Sequence, residues 1–149
     1  MKNIILIAFL FFIISCGYTS IYKIVDQDFQ IIITEKQGDK DMNNLIKNEI
    51  NLYSNKTSLN KYNIEIETEF EKLVLTKDGA GLITDYELSV SSIFTIYFNE
   101  KVQRATFNES TNIKKQADSF EQDIYEKNIK RNFASSIREK LISKILNLK

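Results

Sequence analysis

The stretch YNIEIETEFE, residues 62–71, alternates its side chains in the way that decides the fold. Its even positions carry Tyr, Ile, Ile, Thr and Phe, and its odd positions carry Asn and four Glu. Because successive side chains of a strand point to opposite faces, this period of two predicts a strand with one buried and one wet face. We expect the strand to continue to about Leu75.

Two further strands are predicted to follow. Lys77-Asp78-Gly79-Ala80-Gly81 has the composition of a turn, since Gly and Asp favour turn conformations. The next strand runs from about Leu82 to Phe98, and Asn99-Glu100 is expected to connect it tightly to a third strand, Lys101 to Thr111. Alternate positions on one face of the middle strand are apolar: Tyr86, Leu88, Val90, Phe94, Ile96 and Phe98.

A strand and a helix are predicted before residue 62. The run from Ile24 to Thr34 is short and rich in β-branched residues, which favours a strand. Gly38 and Asp39 interrupt it, and a helix follows with Asp39 or Asp41 as its N-cap. The helix is indicated by apolar residues at three- and four-residue spacing: Met42, Leu45, Ile46, Ile50 and Tyr53.

The chain is predicted to end in one long helix of about thirty residues, capped by Asp118 or Ser119. Its apolar stripe consists of Phe133, Ile137, Leu141, Ile145 and Leu148, preceded by Phe120 and Ile124. At about 45 Å the helix matches the length of the predicted strands, so it can lie along the sheet. The predicted fold is therefore α+β: a two-layer sandwich in β-α-β-β-β-α order, with a mostly antiparallel four-stranded sheet and two helices on one face.

Composition excludes several classes of function. The 149 residues include no His and a single Cys, so neither a Ser/His/Asp triad nor a Cys/His zinc site can form. The 20 basic and 20 acidic residues balance, which argues against a nucleic-acid binder. A carboxylate-only hydrolase and a calcium site remain open, but we expect no enzyme activity, no catalytic residue, no metal and no cofactor.

The first residues, MKNIILIAFLFFIISC, have the pattern of a bacterial export signal. Lys2 supplies a positive charge, and the apolar run Ile4–Ile14 follows it. Eleven helical residues reach only about 17 Å, well short of a bilayer core of about 30 Å. The segment is therefore predicted to be a signal peptide rather than a membrane span.

The end of this segment, Ile13-Ile14-Ser15-Cys16, resembles the bacterial lipobox. The resemblance implies a signal peptide of residues 1–15 that is cleaved before Cys16. It also implies S-diacylglyceryl and N-acyl groups on that cysteine. These acyl groups would anchor a single domain, residues 16–149, to a membrane. Gly17 is consistent with sorting to the outer membrane. The alternative is a buried cysteine that happens to follow an apolar run.

Charge is unevenly distributed along the chain. Residues 62–109 carry nine acidic and four basic side chains, and residues 124–149 carry two acidic and seven basic ones. One interpretation is that the basic residues bind anionic glycolipid phosphates or acidic groups of a partner. The other is that they complement the helix dipole or line a solvated helix face. We favour this second interpretation. The set concerned is Lys127, Lys130, Arg131, Arg138, Lys140 and Lys144. The Glu ladder of residues 65–71 is likewise interpreted as a solvated face rather than a cation site.

In its order of elements and in several short segments, the whole chain resembles the LptE family, the lipoprotein component of the outer-membrane lipopolysaccharide translocon. The similar segments are Cys16-Gly17-Tyr18 with Ile21-Tyr22, the strand Asp85-Tyr86-Glu87-Leu88-Ser89-Val90 with its hairpin into Val102–Thr111, and the final helix with Ile137-Arg138-Glu139-Lys140-Leu141.

The resemblance implies a periplasm-facing outer-membrane lipoprotein that plugs an LptD-like β-barrel, assists its assembly and contacts lipopolysaccharide. It identifies no residue that touches the barrel or the glycolipid. Two other classes remain: an envelope lipoprotein that serves barrel assembly or holds a periplasmic ligand, and a lipid-anchored hydrolase that uses carboxylates alone.

Overall fold

The computed structural model describes residues 29–148, which fold into a four-stranded sheet with two helices on one face. The predicted signal peptide, Cys16 and the start of the predicted first strand lie outside these residues. The elements in chain order are β1 (Gln30–Gly38), α1 (Lys40–Asn51), β2 (Lys61–Lys77), β3 (Ile83–Phe98), β4 (Lys101–Lys114) and α2 (Ser119–Leu146).

The strands lie side by side in sequence order, with β1 parallel to β2 and the other two pairs antiparallel. A helix between β1 and β2 makes the parallel pairing possible, because parallel neighbours need a long crossover. The predicted α+β class and the mostly antiparallel sheet are confirmed. We call the end of the body at Phe29 and the β3–β4 turn the proximal end, and the end at the β2–β3 turn the distal end.

The alternation that predicted β2 determines which of its faces is buried. Tyr62, Ile64, Ile66 and Thr68 are buried under the helices, and the intervening side chains face away from them. The core also includes one face of β3, with Leu88 and Phe94, and the sheet-facing stripe of α2, with Ile137 and Leu141. Thr68 joins the hydroxyl of Ser92 across the strands at 3.3 Å, which satisfies both groups inside the core.

Both helices begin at the aspartates that the sequence indicated. The Asp39 side chain accepts a hydrogen bond from the backbone N–H of Met42, and Asp118 accepts from Phe120 and Glu121. The tight β3–β4 connection is also confirmed, since Asn99 and Glu100 both have positive φ angles, 47° and 63°. Positive φ at both central residues is characteristic of the type I′ turn, the two-residue hairpin turn whose twist matches that of the flanking strands.

The start of α2 differs from the prediction. Phe120 is 70% exposed and Ile124 is 46% exposed, so neither continues the buried stripe. Gln122 is buried there instead; it accepts from the backbone N–H of Gln116 at 2.7 Å and donates to Glu126 at 2.7 Å. Glu126 pairs in turn with Lys72 of β2, so a polar network turns this part of the helix away from the predicted face.

Gly38 makes the turn from β1 into α1 possible. Its φ is +82°, and a Cβ atom placed on it would lie 2.0 Å from the carbonyl oxygen of Thr68. The next residue, Asp39, donates its N–H to that same oxygen at 2.7 Å. Only glycine adopts this conformation without strain and admits so close an approach of two backbones.

We therefore expect Gly38→Ala to lower the free energy of unfolding by about 2–4 kcal/mol, because it adds a backbone clash to a strained φ. Gly79→Ala in the β2–β3 turn is the matched control: no atom lies within 4 Å of the added carbon, and we expect a change within about 0.5 kcal/mol. Urea denaturation of the soluble domain measures both. Equal midpoints for the two variants would contradict this account of the turn.

Candidate interaction surfaces

None of residues 29–148 covers the face of the sheet opposite the helices, and this face is acidic. The side chains on this face come from the odd-numbered positions of β2 and β3 and from the even-numbered positions of β4. The acidic members of this open face are Glu35, Glu65, Glu67, Glu69, Glu71, Asp85 and Glu87, and its basic members are Lys61, Arg104 and Lys114.

A shallow polar groove of about 280 Å³ crosses the middle of the open face. Its floor is formed by small side chains of β3, Ser89 and Ser91, and its walls include Glu69 and Glu71 from β2 and Asn108 from β4. Small hydroxyl residues beside long carboxylates leave a recess lined with hydrogen-bond acceptors and hydroxyl donors. The groove is open to solvent and suits a polar surface better than an apolar ligand.

Few contacts neutralise the open face. Arg104 Nη2 lies 3.9 Å from Glu67 Oε2, and both side chains are at least 60% exposed, so this pair adds little stability. The hydroxyl of Tyr97 donates to Glu65 at 3.0 Å, and this hydrogen bond raises the pKa of Tyr97. Within residues 29–148 no three acidic side chains are placed to hold a metal ion together.

The six predicted basic residues of α2 divide into two groups. Lys130 stacks over the ring of Phe70 at 4.2 Å, Arg138 over Tyr53 at 4.3 Å, and Lys140 pairs with Glu109. These three hold the helix against the rest of the fold. Lys127, Arg131 and Lys144 make no ion pair with any part of the chain that the structure describes; Lys127 and Arg131 are exposed and Lys144 is half-buried.

Arg138 is the most buried cation of the set, with a side chain only 7% exposed. Besides Tyr53 it meets Glu49 of α1, with Nε 3.8 Å from the carboxylate, and it donates to Ser135 at 2.5 Å. A buried guanidinium needs such partners because an unpaired charge in the interior is costly. Arg138 therefore links the two helices and is not available to bind an external anion.

Glu109 clamps α2 to the edge strand β4. It occupies a helix-facing position of β4, where its carboxylate accepts from Lys140 Nζ and from Ser136 Oγ, both at 2.6 Å. Burial alone would raise the pKa of Glu109, but the hydrogen bonds and the charge of Lys140 outweigh it and lower the pKa. Lys140 also donates to the backbone carbonyl of Asn108 at 3.4 Å, which blocks part of the free edge of the sheet.

A cleft of about 510 Å³ separates the distal halves of α1 and α2. Its walls are Asp41, Asn44, Leu45 and Asn48 on one side and Asp123, Glu126, Lys127 and Lys130 on the other. The cleft is mostly polar, with both signs of charge at its rim.

No helix among residues 29–148 is long and apolar enough to cross a membrane.

Comparison with solved structures shows which fold this is. The chain resembles rare lipoprotein B from Shewanella oneidensis with a TM-score of 0.59 and 16% identity, over 80% of this chain and 98% of that one. A minor lipoprotein from Acinetobacter baumannii matches with a TM-score of 0.52 and 12% identity, over 80% and 94%. An uncharacterized lipoprotein B from Nitrosomonas europaea matches with 0.51 and 12%, over 78% and 82%.

These similarities cover most of both chains, so the fold is shared as a whole. Identities of 12–16% show the fold alone. No protein-family model and no curated protein matches the sequence.

The clamp at Glu109 predicts a pH dependence of stability. Because its pKa is lowered in the folded state, the carboxylate contributes stability above the pKa of the unfolded chain, and this contribution is lost as the pH falls through the folded value. We expect Glu109→Gln to cost about 1–2 kcal/mol at neutral pH and progressively less in acid, measured by urea unfolding across pH.

Glu71→Gln on the open face is the control, and we expect a shift within about 0.5 kcal/mol at any pH. A Glu109→Gln deficit that stays constant from neutral to acidic pH would show that the charge of the clamp is not what stabilises it.

Proposed function

We propose that this chain is an LptE-like outer-membrane lipoprotein, a plug and assembly partner for an LptD-like β-barrel that delivers lipopolysaccharide to the outer leaflet. The observation that carries the proposal is the uncovered, polar face of a long sheet, on a fold shared with several lipoproteins. The predicted lipid on Cys16 supplies the attachment. The role is structural and needs no catalysis.

The dimensions of the body support a plug. β2 has 17 residues and therefore spans about 56 Å, and four strands are about 19 Å wide. Such a rod is longer than the hydrocarbon core of a bilayer is thick. A 16- to 18-stranded porin leaves only an aqueous channel, whereas 22-stranded barrels hold a folded plug. The partner must therefore be a barrel wider than a porin.

The chemistry of the open face also fits a lumen. The interior wall of an outer-membrane barrel is polar, and a face rich in carboxylates and hydroxyls matches such a wall. Few apolar side chains, among them Leu73, Ile93 and Val102, would be buried against it. The excess of Glu on this face calls for basic or hydroxyl side chains on the facing wall. Lys127 and Arg131, on the other side of the body, remain accessible to the phosphates of an anionic glycolipid.

The proposal is tested by extracting the lipoprotein from outer membranes in mild detergent with an affinity tag. We expect a large β-barrel protein to co-purify with it. Glu69→Lys together with Glu71→Lys should reduce the barrel yield by about tenfold, since each reversal puts a cation against a wall selected for carboxylates. Both side chains are exposed, so the fold should be unaffected.

Glu100→Lys together with Glu121→Lys reverses the same number of charges away from the open face and serves as the matched control, with an unchanged barrel yield expected. Recovery of the intact wild-type lipoprotein without any large barrel protein would refute the plug. A loss of barrel with both double variants would refute the assignment to the open face.

The cleft between the helices favours a second candidate, a lipoprotein that holds a periplasmic ligand. Its volume of about 510 Å³ lies within the range of small-molecule sites, and its Lys and Asp side chains could orient a charged headgroup. This candidate predicts that an amphiphile co-purifies with the soluble domain and is lost with Leu45→Asp, while the barrel yield is unchanged. The plug predicts the opposite outcome.

A further inference from the structure

Two leucines at the proximal end have highly exposed side chains. Leu59 is 93% exposed and Leu52 is 71% exposed, and both belong to the connection between α1 and β2. Each exposed aliphatic side chain forfeits the free energy that burial would give it. Single exposed leucines are common, but this pair lies close to Phe29, the first residue that the structure describes.

The loop that carries Leu59 is held rigidly at that point. Asn55 donates its N–H to the carbonyl of Phe29 at 2.9 Å, and Gln30 donates to the carbonyl of Asn60 at 2.8 Å. The N–H of Ile31 bonds Ser54 Oγ at 2.8 Å. Leu59 is therefore presented on a fixed support, directly next to the first described residue of the chain.

The proximal end is also basic. Lys56 and Lys61 flank Leu59 in sequence, and Lys101 and Lys144 lie at the same end of the body. The acidic residues at this end are Glu100 in the β3–β4 turn and Glu49 in the last turn of α1, and Glu49 is paired with Arg138. Aliphatic side chains among lysines form the pattern that binds an anionic bilayer surface, since the apolar group enters the interface and the ammonium groups meet the headgroups.

The distal end provides a contrast within the same molecule. It also exposes aliphatic residues, among them Leu82 at 63%, but its surroundings are acidic. Asp78, Asp118, Glu121 and Asp123 all lie at or beside the β2–β3 turn and the start of α2. Lys77, Lys114 and Lys115 lie at this end too, but these four acidic residues together with Asp85 outnumber them. Apolar exposure thus occurs at both ends, and the surrounding charge is net positive only at the proximal end.

The position of the predicted anchor selects the same end. Twelve residues, 17–28, separate Cys16 from Phe29, and a fully extended chain of this length spans at most about 47 Å. The distal end lies a further strand length of about 50 Å from Phe29. The lipid therefore confines the proximal end near the bilayer, which raises the effective concentration of this end at the surface far above that of the other.

We propose that the loop at residues 52–60 is a second membrane contact, in which Leu59 and Leu52 enter the interface of an anionic bilayer while Lys56 and Lys61 bind its headgroups. This contact fixes the orientation of the lipid-anchored body. It rests on acylation of Cys16, and it does not depend on the barrel partner.

The test uses the full lipoprotein, processed in a bacterial host and reconstituted into vesicles of phosphatidylethanolamine and phosphatidylglycerol. Because an acylated Cys16 has no free thiol, Leu59→Cys and Leu82→Cys each introduce the only reactive one, which takes an environment-sensitive fluorophore. We expect a blue-shifted emission at position 59 and at least about twofold stronger quenching by headgroup-proximal nitroxide lipids than at position 82. Thiol labelling of the parent chain would show that the anchor is missing and would overturn the proposal.

Three other results would also overturn it. Equal emission and quenching at positions 59 and 82 would show that the loop does not touch the bilayer. A blue shift at position 59 that is already complete in detergent and insensitive to nitroxide lipids would show that residues 17–28 cover it. A blue shift that disappears when the protein is diluted in excess lipid would show a second copy of the chain there.

The charge is tested separately. Lys56→Glu with Lys61→Glu should reduce quenching at position 59 by about half in the anionic vesicles, because the headgroups then repel the loop. In vesicles of phosphatidylcholine alone the same pair should have little effect. An equal loss in both kinds of vesicle would overturn the electrostatic part of the proposal. None of these vesicles contains a barrel, so failure of the plug function leaves this test unaffected.

Discussion

The β2–β3 hairpin concentrates its apolar side chains on one of its faces, with Leu73 and Ile93 among the few on the other, and the rest of the structure follows from that asymmetry. A slip of one residue in either strand would move the whole apolar set into water, so the long register is fixed from Asn63↔Tyr97 to Val74↔Tyr86. The apolar face must be covered, and α1 and α2 are the elements that cover it. The other face, rich in Glu and Ser, is left uncovered by residues 29–148.

This one-sided construction separates charge by face. Carboxylates accumulate on the open side of the sheet, and cations accumulate in the helix layer, where several of them are used to hold α2 in place. The clamp of Glu109 with Lys140 and Ser136 is a case in which an acidic residue lies on the basic side, and there it is paired. A body with two chemically different sides suits a partner that surrounds it, since each side can meet a different environment.

The sequence predicted those features that depend on neighbours along the chain: the alternation of residues 62–71, the caps at Asp39 and Asp118, and the turn at Asn99-Glu100. It did not predict features that depend on distant partners. Gln122 is buried in place of Phe120 because Glu126 pairs with Lys72, 54 positions away. Nothing local in the sequence announces that pair. The position of Glu109, a lone carboxylate at a helix-facing position of β4, indicates that this side chain needs a partner. No neighbour along the chain identifies Lys140 as that partner.

The most direct test is carbodiimide labelling of carboxylates, read by mass spectrometry, on the lipoprotein purified free of any barrel protein and on intact outer membranes. If the open face packs against a barrel wall, Glu69 and Glu71 react in the partner-free protein and are protected in the membrane, while Glu121 on α2 reacts in both. Equal reactivity of Glu69 and Glu71 in the two preparations would mean that the open face of the sheet meets only water in the cell, and the plug would be the wrong explanation for it.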